Sequence, residues 1–141
     1  MSEPYVLRTD DQDGVVRLTL NRPKKFNPLS EEMLSALQTE LDDIAQDRSK
    51  RVAVLGAEGR AFSAGHNLKQ MKANPTKPYY DMLFAKCSKM MMTIVKMPQP
   101  VIARVQGLAT AAGCQLVANC DLAVSADTAQ FATSGVRYGL F

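Results

Sequence analysis

Residues 101–125 read VIARVQGLATAAGCQLVANCDLAVS, and this stretch decides the fold class. Val101 to Val105 is a compact apolar run of strand type. Small residues follow, opening a helix over about Ala111 to Asn119, and Leu122 to Ser125 reads as a further short strand. Strand, helix and strand in succession, with no linker between them, mark an α/β chain.

The same alternation extends upstream. Met82, Leu83, Cys87, Met90, Met91, Ile94 and Val95 recur at helical spacing, and Pro98 and Pro100 stop that helix. Its methionines are expected in the core, because a flexible thioether fills irregular gaps. Asn74 to Pro78 breaks the chain before it. His66 to Met71 reads as a short helical turn, Gly56 to Gly65 as a loop, and Arg51 to Gly56 (RVAVLG) as a buried parallel strand. Ser30 is a good N-cap, with Glu31 and Glu32 complementing the positive helix end. Met33, Leu34, Leu37, Leu41 and Ile44 then predict an amphipathic helix over about 31–46. At the start, Tyr5 to Thr9 and Val15 to Leu20 read as strands joined by a hairpin at Asp13-Gly14, where the turn needs positive φ.

Composition narrows the function classes. The chain has 141 residues, 46% hydrophobic and 22% charged, the balance of an ordinary folded domain rather than a disordered one. No apolar run is long enough to span a bilayer, and no membrane partner is expected. The N-terminus has neither the apolar core of a signal peptide nor the character of a transit peptide. The expected location is the cytoplasm if the source is bacterial, or a mitochondrion if a presequence has been removed. Cys87, Cys114 and Cys120 match no metal-ligand spacing, which favours reduced thiols. A net charge of +3, with no basic stripe interleaved with aromatics, suits a small anionic ligand and not nucleic acid.

Two loops carry the chemistry. In AFSAGHNLK (61–69), Gly65 lets the backbone bend tightly ahead of a helical turn, whose first N–H groups have no intrahelical partner. In GLATAAGCQL (107–116), Ala111-Ala112-Gly113 do the same where a strand enters a helix. Such N–H groups can bind a carbonyl oxygen that becomes negative during reaction. Taken singly, small residues at a helix start serve close packing. The pair in this order, behind the segment LNRPKKFNPLS (20–30), is far more specific.

Through those three segments the chain resembles the first half of the enoyl-CoA hydratase/isomerase (crotonase) superfamily. The ending AQFATSGVRYGLF (129–141) is similar to one branch of it. The resemblance implies a crotonase-like ββα spiral, with residues 1–141 forming the N-terminal part of a single domain cut before its C-terminal helices. It implies a full-length homotrimer or dimer of trimers and an acyl-CoA ligand of fatty-acid metabolism. Coenzyme A enters as part of the substrate, and no metal or redox cofactor is expected. By motif match, the backbone N–H groups of His66 and Ala112 would form the oxyanion hole. The carbonyl of Ala64 would sit near the adenine, and Asn67, Leu68 and Lys69 would line the coenzyme A site, with Lys25 and Phe26 nearby. The side chain of His66 is expected to pack locally or face solvent, because a pKa near neutrality is not enough without a positioned partner.

The pattern then fails where acid–base chemistry should stand. Hydratases of this superfamily use two glutamates, and those positions align with Gln115 and Gly135. A glutamine can hydrogen-bond a water but cannot exchange its proton near neutral pH, and a glycine can do neither. Hydratase activity is therefore expected to be weak or absent. Asn67 stands where aspartate is common, and Ala111 and Ala112 replace glycines while remaining compatible with helical φ/ψ. Two other readings stay open. One is a different thioester enzyme (hydrolase, isomerase or decarboxylase) with a base such as Asp121 or Asp127. The other is a non-catalytic interaction subunit. The stop at Leu140-Phe141, with no capping element, predicts that the chain is a fragment.

Overall fold

The computed structural model describes residues 3–139, so Leu140 and Phe141 lie outside the described residues. Strands β1 (Val6–Asp10) and β2 (Val15–Leu20) form the antiparallel hairpin, with Gly14 at φ 80°. A 3-10 turn at Pro23–Lys25 leads into α1 (Glu31–Gln46), whose cap Ser30 accepts from the Met33 N–H. All five apolar positions expected on the inner face of α1 are buried. Each such side chain contributes about 1.5–3 kcal/mol when fully buried. Gln99 closes the far end of α1, its side-chain amide donating to the carbonyls of Ile44 (2.8 Å) and Asp47 (3.1 Å). Arg8 ties β1 to α1 through Glu40 (3.0 Å) and Asp43 (2.6 Å).

From there the chain repeats one unit. β3 (Val52–Ala57) and β4 (Ala61–Ser63) lead to α2 (Leu68–Ala73) and α3 (Lys77–Lys96). β5 (Val101–Val105) and β6 (Leu108–Thr110) lead to α4 (Ala112–Ala118). β7 (Leu122–Ser125) and β8 (Phe131–Ala132) lead to a 3-10 turn at Ser134–Tyr138. In every repeat the first strand joins a sheet ordered β1-β2-β3-β5-β7, and the second joins a smaller sheet ordered β4-β6-β8. All pairings except β1 with β2 are parallel. A chain that adds one strand to each of two sheets per turn is the expected ββα spiral.

The structure corrects several expectations. The loop expected over 56–65 contains β4, and β6 precedes the helix where no strand was expected. Strands this short display no period of their own. The turn expected to begin at His66 begins at Leu68, because Asn67 caps it by accepting from Lys69 and Gln70 N–H. Pro78 does not break the chain but lies in the first turn of α3, where its missing N–H would have had no partner anyway. In α3, Met90 and Met91 are core residues as expected, but Met82, Met92 and Val95 are exposed.

Candidate active site

The register of the small sheet sets the site. Ser63 on β4 pairs with Ala109 on β6, and the two loops leave from these neighbouring strands. His66 and Ala112 each stand three residues beyond that pair. Gly65 has φ 84°, and a Cβ there would lie 3.0 Å from both the Ala111 methyl and the Ala112 nitrogen. The two loops therefore abut, and glycine is required on one side of the contact. Likewise a Cβ on Gly113 would collide with the Ser63 carbonyl, so the start of α4 rests directly on β4.

Each N–H is aimed by the other end of its own peptide. A trans peptide holds its C=O and N–H on opposite sides. The Gly65 carbonyl accepts from the Leu29 N–H at 2.8 Å, which turns the His66 N–H the other way. The Ala111 carbonyl accepts from Cys114 (3.0 Å) and Gln115 (3.1 Å), which turns the Ala112 N–H out of the helix end. Neither N–H has a partner among the described residues. The first loop is further fixed by Asn27, a residue with no sequence signal of its own beyond its place in LNRPKKFNPLS. Its buried amide donates to the carbonyls of Glu58 and Ala61, both at 2.9 Å. Its own carbonyl accepts from the Ser63 hydroxyl (2.8 Å), whose oxygen in turn accepts from the Gly65 N–H (3.2 Å).

Ala111 overturns one expectation. It is not helical but sits at φ 51°, ψ −127°, a region that L-residues avoid because Cβ crowds the backbone. The turn keeps a glycine-like conformation although its residue is alanine.

A cavity of about 710 Å³ opens beside the paired N–H groups. His66, Ala112, Gln115, Gly135, Ala64 and Leu68 all line it, so six of the site residues expected from sequence converge. Lys25, Phe26, Asn67 and Lys69 do not line it. Phe26 is nonetheless tied to it, since its carbonyl accepts from the Ala64 N–H at 2.9 Å. Lys25 and Lys69 are exposed, and Asn67 serves as the helix cap. Asp121 and Asp127 are also outside the cavity, and Asp121 accepts from the Val101 N–H at 2.7 Å. No charged side chain is among the described residues lining the cavity. The His66 ring packs edge-on against Phe84 at 5.3 Å, and burial lowers its pKa, opposed by a contact with the Leu29 backbone. Burial thus favours the neutral imidazole, and its Nδ1 is unpartnered among the described residues. Thr110 and Ser134, unremarked in the sequence, line the same cavity with their hydroxyls 2.8 Å apart.

Paired N–H groups over an apolar cavity are a geometry for holding a carbonyl oxygen. Residues 10–141 match the family model for enoyl-CoA hydratase/isomerase. The chain belongs to the enoyl-CoA hydratase/isomerase family. Human enoyl-CoA hydratase domain-containing protein 3, mitochondrial, is 46% identical over 140 residues, covering 99% of this chain and 46% of that protein. The crystal structure of an enoyl-CoA hydratase from Mycobacterium smegmatis is 57% identical with a TM-score of 0.97, covering 99% of this chain and 54% of that one. The crystal structure of the human domain-containing protein 3 is 46% identical with a TM-score of 0.91, covering 97% and 54%. The chain spans about half the length of the curated relatives it matches. This likeness agrees with the family branch suggested by residues 129–141.

Proposed function

We propose that this family member binds an acyl-CoA thioester, with the thioester oxygen between the N–H groups of His66 and Ala112. The observation that carries the reading is the pair of unpartnered N–H groups on abutting loops at an apolar cavity. In this reading the Ala64 carbonyl, which accepts no hydrogen bond among the described residues, receives the adenine amine. Phe26, Leu68 and Asn67 frame the coenzyme A site, and Lys25 and Lys69 attract its phosphates. An oxyanion-hole donor supplies about 3–4 kcal/mol of transition-state stabilisation in well-studied enzymes.

Water addition is slow in this reading, because Gln115 and Gly135 put no carboxylate beside the thioester. General acid–base catalysis contributes a factor of about 100 to 10,000 per group. Calorimetric titration with butyryl-CoA, coupled to a crotonyl-CoA hydration assay, tests both halves. Saturable binding without robust hydration is expected. No heat with any acyl-CoA would favour a non-catalytic interaction subunit, and fast hydration would remove the second half of the reading.

A further inference from the structure

The inner face of α3 carries Leu83, Cys87, Met90, Met91 and Ile94 into the core, but Met92 and Val95 stay exposed. Apolar residues scattered singly on a surface need no explanation. Met92 is not scattered. With Met97, Pro98 and Ala45 of α1 it forms the floor of an open groove of about 400 Å³ between the C-terminal ends of α1 and α3. This groove shares no lining residue with the cavity beside the paired N–H groups.

Its walls are fixed in advance. The Gln38 amide of α1 donates to the Thr93 hydroxyl of α3 at 2.9 Å, and that hydroxyl donates to the Lys89 carbonyl at 3.0 Å. Just past α3, Gln99 is bonded to the Ile44 and Asp47 carbonyls at the end of α1. A partner is thus spared the cost of ordering the surface it meets.

The rim is charged with one sign. Lys89 and Lys96 line the groove, and neither has an ion-pair partner among the described residues. No carboxylate is among the described lining residues. Asp42 of α1, outside the lining, accepts from the Gln38 amide at 2.8 Å. Lys89 and Lys96 stand two helical turns apart, a rise of about 10.5 Å. An adaptable methionine floor between two cations complements an apolar stripe between two anions. The groove is open, so a small ligand would keep much of its surface in water, unlike one enclosed in a pocket. A helix laid in a groove buries only its apolar face and leaves its charged flanks wet.

We propose that the α1–α3 groove docks an acidic amphipathic helix of a partner protein, with two carboxylates two turns apart facing Lys89 and Lys96 and apolar residues between them on Met92.

The probe is a lactam-bridged helical peptide with two glutamates seven positions apart and leucines between them, followed by fluorescence anisotropy. Saturable binding to the protein is expected, weaker at about 0.5 M salt than at about 0.05 M. Lys89→Glu combined with Lys96→Glu is expected to lower the affinity about tenfold, and Met92→Ala about threefold. The same peptide with lysines in place of its glutamates is expected to bind the doubly reversed variant and not the wild type. All three positions are exposed, and matching urea midpoints show that the variants fold. No binding of the glutamate peptide overturns the proposal. Equal binding of the two peptides to the wild type, or binding that survives the lysine reversal, does the same. Vesicles of phosphatidylglycerol that retain the wild type but not the reversed variant would assign the groove to a lipid surface instead. Self-association in sedimentation, lost in that variant, would assign it to a second copy.

Discussion

The two loops of the site reach the same end by different means. In the first, the donor belongs to His66, two residues before α2 starts, and it owes nothing to the helix. The helix's own leading N–H groups of Lys69 and Gln70 are absorbed by the Asn67 side chain. The donor is aimed because Leu29 grips the Gly65 carbonyl and the Asn27–Ser63 bonds hold the turn. In the second loop the donor, Ala112, is the first residue of α4, and the helix itself aims it. One loop relies on glycine and tertiary hydrogen bonds. The other relies on a helix end and tolerates an alanine at φ 51°. An equivalent pair of donors does not need equivalent loops.

The comparison can be broken at several points. The largest effect is expected just past the second loop, where α4 carries Gln115 instead of a carboxylate. If both loops already bind the thioester, Gln115→Glu with Gly135→Glu raises crotonyl-CoA hydration by about 100-fold or more. A rate unchanged within error, with acyl-CoA binding intact, would show that the loops do not present the thioester to those positions. Next is Gly65→Ala. The new methyl meets Ala111 and the Ala112 nitrogen at 3.0 Å and sits at φ 84°. A destabilisation of about 1–3 kcal/mol or more is expected, read from urea unfolding. Acyl-CoA affinity should fall with it as the donors separate. The converse change, Ala111→Gly, removes a strained side chain and should raise stability by up to about 1 kcal/mol, less whatever glycine adds to unfolded-chain entropy. If Ala111→Gly destabilises instead, the second loop depends on its methyl.

The smallest effect is a pH dependence confined to the first loop. Burial depresses the His66 pKa below its ordinary 6.5, so the unfolded chain takes up a proton more readily than the folded one. Stability is then complete above about pH 6.5 and declines as the pH falls below it. The carboxylates held low by their partners, Asp10, Asp11, Glu32 and Asp47, lose their contribution only in more acidic solution, near and below 3.8–4.5. The thermal midpoint should therefore drop between about pH 7 and about pH 5 in the wild type and be flatter in His66→Gln. Parallel profiles for the two proteins would assign the effect elsewhere.

Much of the fold was legible in the sequence wherever an element is long enough to show its period. The inner face of α1 and the strands β2, β3 and β5 follow directly from apolar spacing, and the approach of both loops to one cavity follows from the motifs. The small sheet was not legible. β4 and β6 are three residues each and β8 is two, too short to alternate visibly, yet they set the spacing of the site. The conformation of Ala111 was hidden for another reason: alanine is the best helix former, and only the bond from its N–H to Ala132 and the packing against Gly65 force it away. β7 reads as apolar as β3, but Leu122 and Val124 are exposed at 63% and 64%, because burial depends on what packs over a strand and not on the strand alone.

The pairing of Ser63 with Ala109 has a metric consequence. Neighbouring strands lie about 4.8 Å apart. Two donors kept at that spacing, each about 2.9 Å from a shared oxygen, would meet it at an angle of roughly 110°, close to the directions of an oxygen's lone pairs. The gauge of that pocket would then derive from the pitch of a β-sheet, with Gly65 letting the two loops stay as close as their strands.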